Sequence, residues 1–455
     1  MIRAELDGGF QPPYLVLKSL AEAAEKNPGG TAVFACEREN GCVFRFEFAY
    51  PAGMEDSSEV VGLGERIAKF LLWSAGGWKL YVSGPSSLTD RIRRDYSASG
   101  RRGFDRGFVK MVYGREVEVV VCPADRIPPT RDAAMPLGGH LDGCRIGFDL
   151  GASDYKLTAM KDGLPIWSDE LPWNPRVESD PDYHYAKLSE GLRLAASKLP
   201  RVDAIGGSTA GVVVGNRMRF ASLFRSIPEA KFERASELFL RIRSEWGVPM
   251  EVANDGDVSA LAGALSLGVK GIIGMALGSS EAVGYLDPKG CLTGRLSELA
   301  FAPVDLNPSA AADEWSGDTG VGAMYFSQQA VNRLAVAGGM VFPEDMGLPE
   351  RLKVVQAEMA AGNPVAQKIY QSIGVYLGYT VPWYACFYEY AHLMLLGRVT
   401  SGPGGEVILE TARQILRTEF PEFAEKISLF MPDEKARRVG QSAAAASLPE
   451  IKGKQ

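Results

Sequence analysis

Twice in this sequence an apolar strand runs into a turn of small residues and a second apolar strand leaves it. The first case is Ile146-Gly-Phe-Asp-Leu-Gly-Ala-Ser153, continuing into Tyr155–Met160. The second is Gly271–Leu277, the turn Gly278-Ser279-Ser280, and Ala282–Leu286. Small residues let backbone N–H groups come close to a phosphate, and serine adds a hydroxyl donor. A third such turn, Gly402-Pro-Gly-Gly405, stands just before a helical pattern at Val407–Arg417, where helix amides can meet a nucleotide. Helical stretches at 183–199, 230–246 and 255–267 alternate with short apolar strands at 202–206 and 250–253. That alternation predicts an α/β chain.

Between the two hairpins lies Val252-Ala-Asn-Asp-Gly-Asp257, which puts a carboxylate where a strand ends and a helix begins. Asp255 there is suited to take a proton from a substrate hydroxyl, as phosphoryl transfer requires. An N-cap Asn or Asp explains the same residues, and from this segment alone both readings stand. Asp149, at the end of the first strand, can hold Mg²⁺ through water, because Mg²⁺ keeps much of its hydration shell.

The 455 residues predict about three compact units at roughly 150 residues each. Residues 1–135 read as an N-terminal domain of order β-β-α-β-α-β, with an Asn40-Gly41 hairpin turn between strands at 31–36 and 42–50. The proline-rich stretch 123–139 reads as a linker. Residues 1–135 carry 18 basic and 18 acidic side chains, so the whole net charge of −7 belongs to residues 136–455. This balance argues against a general nucleic-acid or anionic-membrane binder. Arg91, Arg93, Arg94, Arg101, Arg102 and Arg106 read as a solvated face neutralised by Asp90, Asp95 and Asp105 rather than an anion site.

Three histidines exclude a multi-histidine metal centre, and the six cysteines form no CxxC pair, so no structural zinc is expected. Cys36 and Cys42 flank the hairpin, but a disulfide is not the expected state. The N-terminus has no secretory pattern, so the expected location is cytoplasmic. Residues 374–397 are long and apolar, yet Pro382, Glu389 and His392 favour a buried helix running into a strand over a membrane span. From about Ser442 the chain reads as a frayed, alanine-rich tail.

From Cys144 to about Arg417 the order of motifs resembles the sugar kinases of the ROK family (repressor, open reading frame, kinase). These belong to the actin, heat-shock chaperone and hexokinase superfamily. The strongest part runs from WGVPMEVANDGDVSALAGALSLG through GIIGMALGSSEAVGYLD to LSELAFAPVD. The resemblance implies a two-lobed, ribonuclease H-like α/β clamshell with the N-terminal α/β domain added, its lobes at 136–255 and 256–455. It implies ATP and Mg²⁺ as cofactors and a sugar or sugar-like substrate. Asp149, Gly151, Ala152 and Ser153 match the first phosphate turn and its metal-associated Asp. Gly278, Ser279 and Ser280 match the second turn, and Gly404 and Gly405 fall near the adenosine-binding glycines. Gly206–Gly211, with Gly207, Ser208 and Thr209, looks like the loop lining the sugar site. Asn254 and Asp255 match the Asn-Asp pair of sugar contact and catalytic base, and Glu298 matches the sugar-binding Glu.

The chain also departs from the family pattern. Its second turn is GSSEAVG, with Glu281 placing a carboxylate near the phosphates. Ala300-Phe301 stands where the family has Gly-His, and no cysteine-rich zinc loop follows. Ala221-Ser222-Leu223 replaces an Asn-Leu sugar element. The expectation is therefore an ATP-dependent phosphotransferase acting on a sugar-like hydroxyl. The alternative is a non-catalytic sugar- or nucleotide-binding sensor or scaffold derived from such a kinase. The N-terminal unit lacks the pattern of a helix-turn-helix, so DNA is not an expected partner. It reads as a degenerate lobe packing on the kinase-like part or as a subunit contact in a homodimer.

Overall fold

The computed structural model describes residues 1–131, 137–432 and 440–451. Pro136 of the expected linker and the boundary at 135/136 lie outside them. The chain divides into two compact units. One comprises Met1–Ala133, Met275–Val283 and Arg295–Met431; the other comprises Ala134–Gly274, Gly284–Gly294 and Pro432–Gln455. The N-terminal segment thus shares a unit with residues 295–431.

The first unit opens with helix α1 (Pro13–Lys26), which the strand-and-turn pattern did not reveal. Proline begins it without penalty, since the first helical N–H has no partner in the helix. Strands β1 (Pro28–Glu37) and β2 (Val43–Pro51) form the expected antiparallel hairpin. Asn40 and Gly41 both take positive φ at its turn. Cys36 and Cys42 are free and buried. Helix α2 (Ser58–Ser74), strand β3 (Lys79–Ser83), helices α3 (Ser86–Asp95) and α4 (Gly103–Tyr113), and strand β4 (Glu118–Val121) complete a sheet of order β2-β1-β3-β4.

The arginine-rich stretch differs from its expected solvated face. Arg93 and Arg94 are exposed, but Arg102 is only 3% exposed and joins a buried ionic cluster. Arg102 Nη1, Lys69 Nζ and Arg66 Nη1 converge on Asp318 Oδ2 at 2.6, 2.7 and 2.7 Å. Glu65 takes Arg102 from the other side, and Asp105 takes Lys69 at 3.1 Å. Local sequence could not show this, because Asp318 lies more than 200 residues away.

The second unit is built on five strands: β5 (Cys144–Leu150), β6 (Asp154–Lys161), β7 (Leu164–Pro172), β8 (Ala204–Thr209) and, after a small pair β9 (Val212–Val214) and β10 (Arg217–Phe220), β11 (Met250–Asn254). Their order is β11-β8-β5-β6-β7, with β5, β8 and β11 parallel. Helices α5 (Pro181–Ala196), α6 (Glu229–Ser236) and α7 (Leu238–Trp246) cover one face. Ile146, Phe148 and Leu150 bury against Leu188, Leu192, Phe239 and Ile242. The helix expected over 230–246 is two helices, broken at Glu237. Helix α8 (Asp255–Leu267) follows β11 directly, and β12 (Ile272–Leu277) and β13 (Glu281–Leu286) form the second hairpin.

Helices α9 (Gln328–Ala337), α10 (Leu348–Ala360), α11 (Pro364–Ala385), α12 (Pro403–Glu419) and α13 (Pro421–Ala424) belong to the first unit, with strands β14 (His392–Leu396) and β15 (Ser428–Phe430) in a sheet of order β13-β12-β14-β15. The apolar run 374–397 is a buried helix followed by a strand, as expected, and no helix among the described residues is long and apolar enough to cross a membrane.

The alanine-rich tail is not frayed. Helix α14 (Gln441–Ala446) lies buried on the second face of the β5–β8 sheet. Gly147 and Gly206 make that possible: a Cβ at either would sit 1.7 Å from the carbonyl oxygen of Ser442 or Ala445. Alanine suits α14 because any longer side chain would hold the helix off this floor of backbone. Residues 452–455 lie outside the described residues.

Candidate functional site

The parallel strands β5, β8 and β11 end in register. Asp149 pairs with Ser208 and Ser208 with Ala253; one residue further, Leu150 pairs with Thr209 and Thr209 with Asn254. Ligands of open α/β sheets bind beyond such carboxyl ends. Asn254 is the N-cap of α8. Its Oδ1 accepts the Gly256 N–H at 2.7 Å, and its Nδ2 donates to Gly211 O at 2.9 Å. The cap function that competed for this segment therefore falls to Asn254, leaving Asp255 at the first helical position.

Asp255 is half-buried by surface exposure, yet it is packed densely enough for burial to raise its pKa above the usual carboxylate range. The Gly256 N–H, 3.0 Å from Asp255 Oδ1, opposes that rise. Burial pushes Asp149 up to about 6, and the charge of Asp255 adds to the effect. Ser208 Oγ, buried and without a well-formed hydrogen bond, lies beside Asp149 and favours its charged form. Asp257, which the sequence reading did not single out, is pushed up to about 7 by burial and again by Asp255, although the Tyr285 N–H donates to it at 3.2 Å. Its signal was the Asp-x-Asp spacing in the first turn of α8.

The turn at Gly151–Ser153 is held from one side by Trp173, whose Nε1 donates to Gly151 O at 2.9 Å and whose N–H donates to Ser153 O. The Ser153 hydroxyl donates to Asp154 at 2.8 Å. The Gly206–Gly211 segment is mostly strand rather than loop. Gly207, Ser208 and Thr209 are buried within β8, Gly207 against the Phe148 ring, and only Ala210–Gly211 forms the turn. Gln441 at the start of α14 donates from Nε2 to Asp255 O at 3.2 Å and also bonds Ser259 Oγ. No sequence pattern near Gln441 pointed to Asp255.

In the first unit, Ser279 and Ser280 are exposed at the tip of the second hairpin. Gly278 N–H donates to Ser280 O, and Gly278 O accepts from Gln328 at the start of α9. Glu281 does not point to the tip. It is 3% exposed, Tyr384 donates to its Oε1 at 3.1 Å, and burial pushes it up to about 8. Glu298 is half-buried and close enough to Glu281 to add to that rise. Gly404 and Gly405 lie buried in the first turn of α12. A Cβ at Gly404 would enter the Tyr370 ring, and one at Gly405 would meet Thr400 O and Met431. Ser401, Gly402 and Pro403, just before these glycines, are exposed. Ser401, Gly402 and Gly404 line a cavity of about 310 Å³ with Gln356, Met359 and Tyr370.

No known protein-family model and no curated protein sequence matches the chain. Solved structures do. A ROK hexokinase from Thermus thermophilus matches with a TM-score of 0.53 at 19% identity, over 67% of this chain and 97% of that one. A ROK family transcriptional regulator, described as a homolog of the E. coli MLC protein, matches with a TM-score of 0.51 at 17% identity, over 68% and 78%. A ROK family protein from Streptococcus pneumoniae, in complex with sucrose, matches with a TM-score of 0.50 at 13% identity, over 67% and 96%.

The fold is that of the ROK proteins.

Within this ROK fold, the residues around Phe301 and Asp318 are tightly packed. Phe301, at the end of the 3₁₀ turn Leu299–Phe301, packs against Trp73 and Phe104 with ring centroids 4.7 and 5.2 Å apart. Phe301 thus belongs to an aromatic cluster shared with α2 and α4. The segment that follows is held by the Asp318 ionic cluster and by the Arg66 bond to Thr319 O at 2.6 Å.

Proposed function

We propose that this chain is an ATP-dependent phosphotransferase that acts on a hydroxyl of a sugar or sugar-like substrate, with Asp255 as general base. The observation that carries the reading is the Asp255 carboxylate itself: partly accessible, raised in pKa, and set at the carboxyl edge of three parallel strands. Burial that raises a carboxylate's pKa makes it a stronger proton acceptor. In the proposed reaction the substrate hydroxyl gives its proton to Asp255. Its oxygen then bonds to the γ-phosphorus of ATP as the bond to the β-phosphate oxygen breaks and ADP leaves. That two of the similar structures are a hexokinase and a sucrose complex supports a sugar as the acceptor.

Asn254 spends Oδ1 and one N–H on structure, which leaves one amide N–H for a substrate hydroxyl. Glu298 is assigned a substrate contact. Gly207, Ser208 and Thr209 act from beneath, as the floor that sets Asp149. The amides and hydroxyls at Gly151–Ser153 and Gly278–Ser280 are assigned to the ATP phosphates, and the turn up to Gly404 and Gly405 to the adenosine end. Among the described residues no three His, Cys, Asp or Glu side chains converge as a metal cage. A Mg²⁺ that keeps its waters fits the donors present, with Asp149 as its anchor. When bound it would neutralise phosphate charge. Burial raises Asp149 and Asp257, and the charge of Asp255 adds to both, so a cation beside them would relieve that repulsion. In this proposal residues 1–135 support the 295–320 segment, and neither nucleic acid nor membrane is a partner.

The test is Asp255→Asn assayed with a panel of sugars. Loss of at least about 10²-fold in transfer, with nucleotide binding retained, is the expected result. Undiminished turnover would reject the assignment.

A second reading is a non-catalytic sensor or scaffold. It draws support from the packing that accounts for Gly404 and Gly405 and from the regulator among the similar structures. Calorimetry with Mg·ATP and sugars that gives binding but no ADP release would favour it.

A further inference from the structure

The proposed reaction uses neither Arg91 of α3 nor Arg101 in the turn before α4. Arg91 and Arg101, with Arg66 of α2, line a cavity of about 380 Å³ in the first unit. Gln11 and Asn307 line it as well. That volume lies at the small end of the range for ligand pockets.

The hydrogen-bond inventory of this cavity is one-sided. Its two buried acids are saturated. Glu65 accepts from Arg102 on Oε1 and from Arg101 on Oε2. Asp305 accepts the Gln11 and Asn307 N–H groups on Oδ1, both at 2.8 Å, and the Tyr325 hydroxyl on Oδ2 at 2.6 Å. Glu59, exposed at the rim, accepts from Ser58. The uncommitted groups are mostly donors. Arg91 uses only Nε, toward Asp95 at 2.6 Å, so both its terminal nitrogens have no partner among the described residues. Arg101 uses Nε on Asp95 and Nη2 on Glu65, which leaves Nη1. Asn307 Nδ2 and the Gln11 side-chain amide also make no hydrogen bond among the described residues. A site that offers guanidinium edges and amides but has its acids occupied selects a ligand rich in oxygen acceptors and negatively charged.

We propose that this cavity binds a small hydroxylated organic anion. Its carboxylate or phosphate group is held by Arg91 and Arg101, and its hydroxyls face Gln11 and Asn307. The inference does not depend on the chemistry assigned to Asp255. Because Arg66 and Glu65 connect the cavity wall to Asp318, occupancy stabilises the 305–320 segment.

The experiment is isothermal calorimetry on the full chain with gluconate, glucose 6-phosphate and, as the uncharged control, glucose. It is run on wild type, Arg91→Ala, Arg101→Gln and Asp255→Asn. Arg91 is about a third exposed and its ion pair is with Asp95, which Arg101 also holds, so its variant should keep the wild-type thermal transition without ligand. The expected result is saturable binding of at least one of the two anions, weakened tenfold or more by Arg91→Ala and Arg101→Gln and unchanged by Asp255→Asn. Binding of neither anion would overturn the proposal. So would binding as tight in Arg91→Ala as in wild type, or binding lost only in Asp255→Asn, which would place the anion at the site assigned to the reaction.

Discussion

Asp318→Asn removes one negative charge from a cluster that is otherwise balanced. The buried cations are Arg66, Lys69 and Arg102, and the anions facing them are Glu65, Asp105 and Asp318. Without Asp318, Arg102 keeps Glu65, Lys69 keeps Asp105 at 3.1 Å, and Arg66 keeps only the Thr319 carbonyl. One positive charge is then left buried without a counterion. Breaking a buried pair from one side costs about 3–5 kcal/mol. At about 2–4 °C per kcal/mol, that is a fall on the order of 6–20 °C in Tm. Thermal and urea denaturation at pH 7, followed by circular dichroism, measure it.

The pH dependence is a second check. The three cations hold the Asp318 carboxyl far below the usual carboxylate range. A group lowered in the folded state stabilises fully above its unfolded pKa of about 3.9 and loses that contribution as pH falls through its folded value. The difference between wild type and variant should therefore be the same at pH 7 and pH 5 and shrink only in strong acid. Lys69→Met combined with Asp318→Asn restores the charge balance and should recover part of the loss. A deficit below about 1 kcal/mol for Asp318→Asn alone would refute the argument, since exposed pairs are worth only that much.

Three further outcomes are expected. Gly147→Val places side-chain atoms into the Ser442 carbonyl and should displace α14, so limited proteolysis would release the C-terminal residues faster than in wild type. Glu281, raised to about 8, is protonated in the fold at neutral pH. A group raised in the folded state loses its stabilising contribution as pH climbs through the folded value, so Glu281→Gln should raise Tm relative to wild type at pH 9 and have little effect at pH 5. Gln441→Ala, which frees the carbonyl of Asp255, should lower kcat of the proposed transfer several-fold and leave KM for the sugar near its wild-type value.

Short-range physics made much of this protein legible. Short apolar runs marked β1, β5 and β12, and the Asn-Gly pair marked a turn whose two residues take positive φ. The strand, cap and acid of Val252–Asp257 pointed to the carboxyl edge where Asp149, Ser208 and Asn254 align. Helix α1 escaped because prolines at 12 and 13 look like a turn until the helix behind them is packed. The direction of Glu281 was equally hidden: its neighbours suggested a turn facing phosphate, whereas Tyr384, 103 residues on, turns it inward.

The sequence by itself determined most of the strands and the position of Asp255 at a strand-to-helix junction, because caps, turns and short apolar runs act over a few residues. Only the tertiary structure decided that the alanine-rich end docks as α14 on the bare backbone at Gly147 and Gly206, and that Arg102 is buried on Asp318 instead of solvated. Both outcomes join residues more than 200 positions apart, and close packing and charge neutralisation between such residues leave no periodic trace along the chain.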